Sequence, residues 1–148
     1  MKRDTFVKTG FLVAAMFTIT ACGDFLERSE NGDFDGNWHM EYADTLSTGG
    51  RLELKNEYVF WAVQGKLMTF SGATKGAYVC EFTLAGDSLV LGEMHSHDRS
   101  HGDPLLNNVE QMAPYGISEL SEHFKVEQLK SGKMVLRSKK LRLGFKKL

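Results

Sequence analysis

From Trp38 to the end of the chain, apolar and polar side chains alternate in short runs cut by glycine turns. Trp38, Met40 and Tyr42 alternate with His39 and Glu41, and Leu52 and Leu54 with Arg51, Glu53 and Lys55. Successive side chains of a strand point to opposite faces, so a period of two buries one face and leaves the other in water. Further runs cover residues 58–63, 67–70, 77–84, 88–94, 124–129, 134–137 and 141–147. Turn pairs such as Gln64-Gly65, Ser71-Gly72, Gly86-Asp87 and Ser131-Gly132 separate many of them. Short strands at this spacing form a meander that closes as a barrel or folds as a sandwich. About eight strands are near the number that closes a small barrel, so the expected fold is an all-β antiparallel meander barrel.

Strand phase alone gives the expected inward side chains as Trp38, Tyr42, Tyr58, Phe60, Tyr78, Phe82, Leu91 and Phe124. Residues 58–63 are apolar on both faces, with Phe60 and Trp61 adjacent, so that strand is expected to be covered on both sides. One long connection, residues 95–122, breaks the rhythm. Asp103-Pro104 followed by Leu105, Leu106, Val109, Met112 and Ala113 predicts a short helix started by a capping acid and stopped by Pro114 and Gly116. Such a helix would cap one barrel mouth.

The first 21 residues have a different character. Lys2, Arg3 and Lys8 precede an uncharged apolar run from Gly10 to Ile19. That run is too short for the roughly 20 residues a membrane-spanning helix needs, and it fits the core of a secretory signal. It ends in Ile19-Thr20-Ala21-Cys22, which resembles the lipobox of bacterial lipoprotein precursors. The resemblance implies cleavage before Cys22, lipid on its sulfur, and a chain held at the cell envelope, at the outer membrane. Residues 22–35 then read as an acidic, glycine-containing tether and residues 36–148 as the folded domain. The acid-rich stretch behind Cys22 also resembles the surface-export signals of Bacteroidetes lipoproteins.

Cleavage removes three of the 18 basic residues and one of the 19 acidic ones, leaving a net charge near −3. Mixed charge of this kind argues against nucleic acid as a partner. Lys139, Lys140, Arg142, Lys146 and Lys147 alternate with Leu141, Leu143 and Phe145 and read as the wet face of a final strand. Lipid on Cys22 leaves Cys80 without a disulfide partner, and its place between Tyr78 and Phe82 marks it as a small buried hydrophobe.

The ordered set of motifs resembles a family. Gly36-Asn37-Trp38 opens the first strand as the Gly-x-Trp signature does in lipocalins. Tyr58-Val59-Phe60-Trp61, Gly76-Ala77-Tyr78, Gly86-Asp87-Ser88-Leu89, Tyr115-Gly116-Ile117 and the terminal Leu141-x-Leu143-x-Phe145-x-Lys147 follow in line with lipocalin-like lipoproteins of Bacteroidetes. In lipocalins the signature Trp closes the barrel base beside a basic side chain of the last strand. The resemblance implies that Trp38 takes the first place and Arg142 the second, and that small apolar molecules are bound.

No Gly-x-Ser-x-Gly motif, Walker loop or spaced carboxylate pair is present, so no catalytic role and no cofactor is expected. Glu122 and His123, at a strand entrance, read as surface residues. The densest chemical cluster is His95, His97 and His101 with Asp98 nearby, residue types that suit zinc. Its plain reading is a polar loop leaving a strand. Three functions stand open: a membrane-anchored binding protein for a small apolar ligand, an interaction or inhibitor lipoprotein of the envelope acting through residues 95–122 and the rim, and a metal-binding lipoprotein using the three histidines.

Overall fold

The computed structural model describes residues 31–148, and the signal, the lipobox and Cys22 lie outside them. Among the described residues ten strands form, all paired antiparallel: β1 (Gly36–Thr45), β2 (Arg51–Glu53), β3 (Phe60–Gln64), β4 (Leu67–Ser71), β5 (Tyr78–Ala85), β6 (Ser88–Leu91), β7 (His95–Ser96), β8 (His123–Lys130), β9 (Lys133–Arg137) and β10 (Leu141–Lys147). Eight of them close a ring in the order β1-β3-β4-β5-β6-β8-β9-β10, and β10 returns to pair with β1. β2 hangs from the upper half of β1, and β7 pairs with β5. The expected barrel is present, with a closing seam that leaves no edge on the ring.

Tight turns carry the meander. Gly65, Gly86 and Gly132 take positive φ at hairpin corners, where the hairpin twist demands it. Inside the ring lies one apolar core of Trp38, Met40, Trp61, Met68, Phe70, Leu89, Leu91, Phe124, Met134, Leu136, Leu143 and Phe145, among others. Fully burying a side chain of this size stabilises the fold by roughly 1.5–3 kcal/mol.

Two β-bulges reset the alternation. In β1 the register against β10 shifts between Met40 and Tyr42. Trp38 and Met40 point inward, but past the bulge Ala43 packs on the core. Tyr42 therefore turns outward, where its ring lies across Gly144 and under Arg51 at 4.0 Å. A Cβ at residue 144 would stand within the Tyr42 ring, so glycine there is a packing requirement. The expectation that Tyr42 faces the interior fails because one extra residue flips every later side chain. The second bulge, between Val126 and Gln128, does the same for β8.

Residues 58–63 also fall in the opposite phase to the one expected. Trp61 and Val63 are buried with Val59, whereas Phe60 is half-buried and Tyr58 is 73% exposed. Both phases of this run are apolar, so period could not choose between them. Phe60 and Tyr58 instead stack on the outer wall, with His39 5.2 Å from Phe60.

The long connection contains no α-helix. It carries a 310 turn at Arg99–His101 and a longer 310 segment at Val109–Tyr115, capped by Asn108 through its side chain and stopped by Gly116 in the left-handed region. Leu105 makes an isolated bridge to His95, so the expected helix starts later than Pro104 and runs through Pro114. The Asn108 cap accounts for the later start.

Candidate functional site

The barrel interior has two ends that are closed in different ways. At the base, a 310 turn at Gly32–Phe34 buries Phe34 completely. Residues 31–35 thus belong to the barrel, not to the tether expected from their acidic composition. Trp38 Nε1 donates to the Phe34 carbonyl at 2.8 Å, and Phe34 meets Phe82 edge-on at 5.4 Å. Trp38 pairs with Lys147, whose Nζ lies 5.2 Å from the Trp38 ring and donates to the Asp33 carbonyl at 2.9 Å. Gly36 makes room for this: a Cβ there would lie 2.6 Å from Lys147 Cε, and its φ is +129°. The Gly-x-Trp motif is therefore a seat for a lysine stem.

The basic partner of Trp38 is Lys147, and the expectation of Arg142 is corrected. Arg142 is out of phase with Leu143 and Phe145 and sits on the outer wall, with Nε 3.3 Å from Glu127 and Nη1 3.9 Å from Asp44. Lys147 shares the inward phase of Leu143 and Phe145, a signal that was present in the sequence.

The opposite end is covered by the long connection. Met112, Tyr115 and Ile117 are fully buried, and Tyr115 stacks within 6.0 Å of Phe70 and 5.9 Å of Tyr78. Its hydroxyl lies 3.2 Å from Thr74 Oγ1, and Tyr78 Oη donates to Gln111 at 3.1 Å. Gly116 rests against Leu143. Glu122, expected at the surface, is buried: its Oε2 accepts from Ser118 N, Ser118 Oγ and Glu119 N and ties down the end of the connection. The Val109–Tyr115 segment caps the mouth as the sequence predicted.

Between the closures stands Trp61. Its ring centroid is 5.0 Å from Phe70, 5.7 Å from Phe124 and 4.9 Å from Phe145. Its Nε1 is buried and has no hydrogen-bond partner. Of the expected inward set, Trp38, Tyr78, Phe82, Leu91 and Phe124 face the interior, and Tyr42, Tyr58 and Phe60 do not. Trp61, Phe70, Tyr115 and Phe145 were missed. Alternation with Val59 and Val63 could have pointed to Trp61, but nothing local announced Tyr115.

The histidines end up elsewhere. His95 and His97 line a groove of about 630 Å³ on the outer wall, with Val79, Glu81, Glu93 and Asp103, whereas His101 does not reach it. A carbonyl can only accept, so His95 Nδ1 donates to the Asp103 carbonyl at 2.9 Å. His101 Nδ1 lies 2.7 Å from Asp98 Oδ2 in an exposed pair. Hydrogen bonds from Ser100 and His101 hold the Asp98 carboxyl below its ordinary range. Among the described residues no three His, Cys, Asp or Glu side chains come together as a metal set, so the three-histidine site does not form. Asp103 is strained: it takes φ 49° immediately before Pro104, and its Oδ1 is buried without a partner. Cys80, on the core side of this wall, is buried, and burial pushes its thiol up to about 12. Its burial matches the small buried hydrophobe expected from the sequence.

A closed eight-stranded antiparallel barrel whose base is sealed by Gly-x-Trp and a lysine of the last strand is a lipocalin-type barrel. The chain belongs to the lipocalin-like domain family, whose model matches residues 15–148. Solved structures agree on the fold. The chain is similar to a lipocalin-like protein from Bacteroides uniformis, at 20% identity and TM-score 0.60 over 79% of this chain and all of that one. It is also similar to a protein from Bacteroides eggerthii, at 17% identity and TM-score 0.59 over 77% of this chain and 98% of that one. An NMR structure from Burkholderia xenovorans gives 15% identity and TM-score 0.52, over 77% and 82% of the two chains. No curated protein matches.

Proposed function

We propose that the chain is a lipid-anchored binding protein of the cell envelope, at the outer membrane, and not an enzyme, whose barrel interior takes a small, mainly apolar molecule beneath the Val109–Tyr115 cap. The observation that carries this reading is the unpartnered Nε1 of Trp61 at the centre of an aromatic cluster. A buried donor left without an acceptor costs about 1–3 kcal/mol. An acceptor atom on a bound molecule, or a water in the unliganded state, would satisfy it. The side chains packed around it, Phe70, Phe124 and Phe145, are of the kind that line apolar ligand sites. The lipobox residues ending in Cys22 support the anchor. Two or three acyl chains on Cys22, two through a diacylglyceryl thioether and a third on its α-amino group, would hold the protein far more firmly than one.

Native mass spectrometry of the chain begun at Gly23 tests the ligand-binding reading. A bound small molecule, or saturable palmitate binding by titration calorimetry that weakens about fivefold or more in Trp61→Phe, agrees with the reading. An unliganded mass with no response to apolar probes retires it. Palmitate labelling in cells tests the anchor separately, and the label should vanish in Cys22→Ala. A second reading, an interaction or inhibitor lipoprotein acting through residues 95–122 and the rim, draws support from the exposed Leu105 and Leu120 on that connection and from Leu52 on β2. A specific crosslink from position 105 to one envelope protein would favour it. Its absence alongside a filled pocket would end it.

A further inference from the structure

Charge is segregated within the barrel. Residues 123–148, which make up β8 to β10, carry nine Lys and Arg against the single Glu127, whereas residues 31–122 carry five against fourteen acids. Register sorts these cations by face. Lys130 pairs with Lys133, and Lys133 with Lys146, so three lysines stand side by side across three strands. Lys125, Arg137 and Arg142 form a second such row. The inward positions between the rows are Val126, Leu129, Met134, Leu136, Leu143 and Phe145, so both rows face outward. Like charges directly opposite on neighbouring strands repel and weaken a sheet. Among the described residues Arg142 alone of the six has an acidic partner. Fourteen acids elsewhere in the barrel could have been interleaved here and were not.

We propose that the outer face of β8, β9 and β10 is a docking surface for the anionic lipid headgroups of a bilayer. The second observation is where this face lies. Lys147 N donates to the Gly132 carbonyl, and Lys147 reaches Asp33, so the Lys130–Lys133–Lys146 row sits at the barrel base. The chain enters the barrel at that same end, from residue 31. A tether running from the membrane to the base would bring this row, rather than the acidic wall, to the headgroups. Residues 24–30 carry three carboxylates and Arg28, a net charge of −2, which is too little to neutralise the six cations of the two rows. Rows of cations on the outer wall complement an anionic surface, and each cation brought to such a surface strengthens binding about fivefold. The inference extends the anchored reading but does not depend on the acyl group.

The test is co-sedimentation of the chain begun at Gly23, which keeps the whole barrel and its core and lacks Cys22. The vesicles are phosphatidylcholine alone, or phosphatidylcholine mixed with phosphatidylglycerol. Binding is expected only to the anionic vesicles, and it should be lost in 1 M salt, where the screening length falls to about 3 Å. The triple variant K130E/K133E/K146E, with unchanged circular dichroism, should bind about a hundredfold more weakly. The reversal K55E/K75E, on exposed lysines away from this face, should bind as the parent does. Equal binding to neutral vesicles, no binding to either, an unaffected triple variant, or binding to duplex DNA as tight as to anionic vesicles would each overturn the proposal. Because Cys22 is absent, failure here is separate from failure of the palmitate labelling.

Discussion

The two ends of the barrel achieve the same burial by different means. The base is sealed by residues that are part of the ring or immediately precede it: Phe34, Trp38 and Lys147 hold one another through a short hydrogen bond, a cation over an indole, and a glycine that makes room. The mouth is sealed by a 310 segment lying in a connection of more than twenty residues, tied by backbone bonds near its two ends and packed over the interior through Met112 and Tyr115. The base shares the seam between β1 and β10 and can open only if the ring opens. The mouth has no such coupling. The 310 segment lies outside the ring's ladder, so local opening is expected there before it is expected at the seam.

The largest expected effect breaks the base. Trp38→Ala removes a fully buried indole at the closing seam and should cost about 3–5 kcal/mol, read as a lower midpoint in denaturant with an unchanged slope. An unchanged midpoint would show that the base is not what closes the ring. Tyr115→Ala should cost less, about 2–3 kcal/mol, because the connection can settle into the space. In native-state hydrogen exchange this variant should lose protection at residues 106–117 while β1 and β10 keep theirs. If protection falls equally at both ends, the two closures are one cooperative unit and the contrast disappears.

The smallest effect concerns charge on the seam's outer face. The hydrogen bond from Arg51 to Asp44, at 2.6 Å, holds the Asp44 carboxyl below its ordinary range, and the charges of Arg51 and Arg142 add to this. A carboxyl lowered in the folded state contributes stability that is present above its unfolded value, near 3.9, and is lost as pH falls through the folded value. The parent should therefore exceed Asp44→Asn by a small margin at neutral pH, as exposed ion pairs do, and the margin should close as pH drops below about 4. Thermal midpoints across that range would check it, and a margin that widened on acidification would refute the sign.

Much of the architecture was legible because alternation is a local property. The strand count, the glycine turns, the buried Cys80 and the capping role of the long connection all follow from side chains a few positions apart. The interior face was legible only where one phase alone was apolar. Trp38, Tyr78, Phe82, Leu91 and Phe124 were found, whereas Phe60 was mistaken for Trp61 in a run apolar on both sides. Tyr42 was lost to a bulge, and no one-strand pattern reveals a register shift set by the partner strand.

By itself, then, the sequence determined a barrel with a Gly-x-Trp opening, because period, turns and composition are written residue by residue. Only the tertiary structure decided which lysine meets Trp38, that Tyr115 closes the mouth, that the three histidines part company, and that six cations line up in two rows. Each of these depends on strand register between segments far apart in the chain, and register is settled by packing around a shared core rather than by any residue's neighbours.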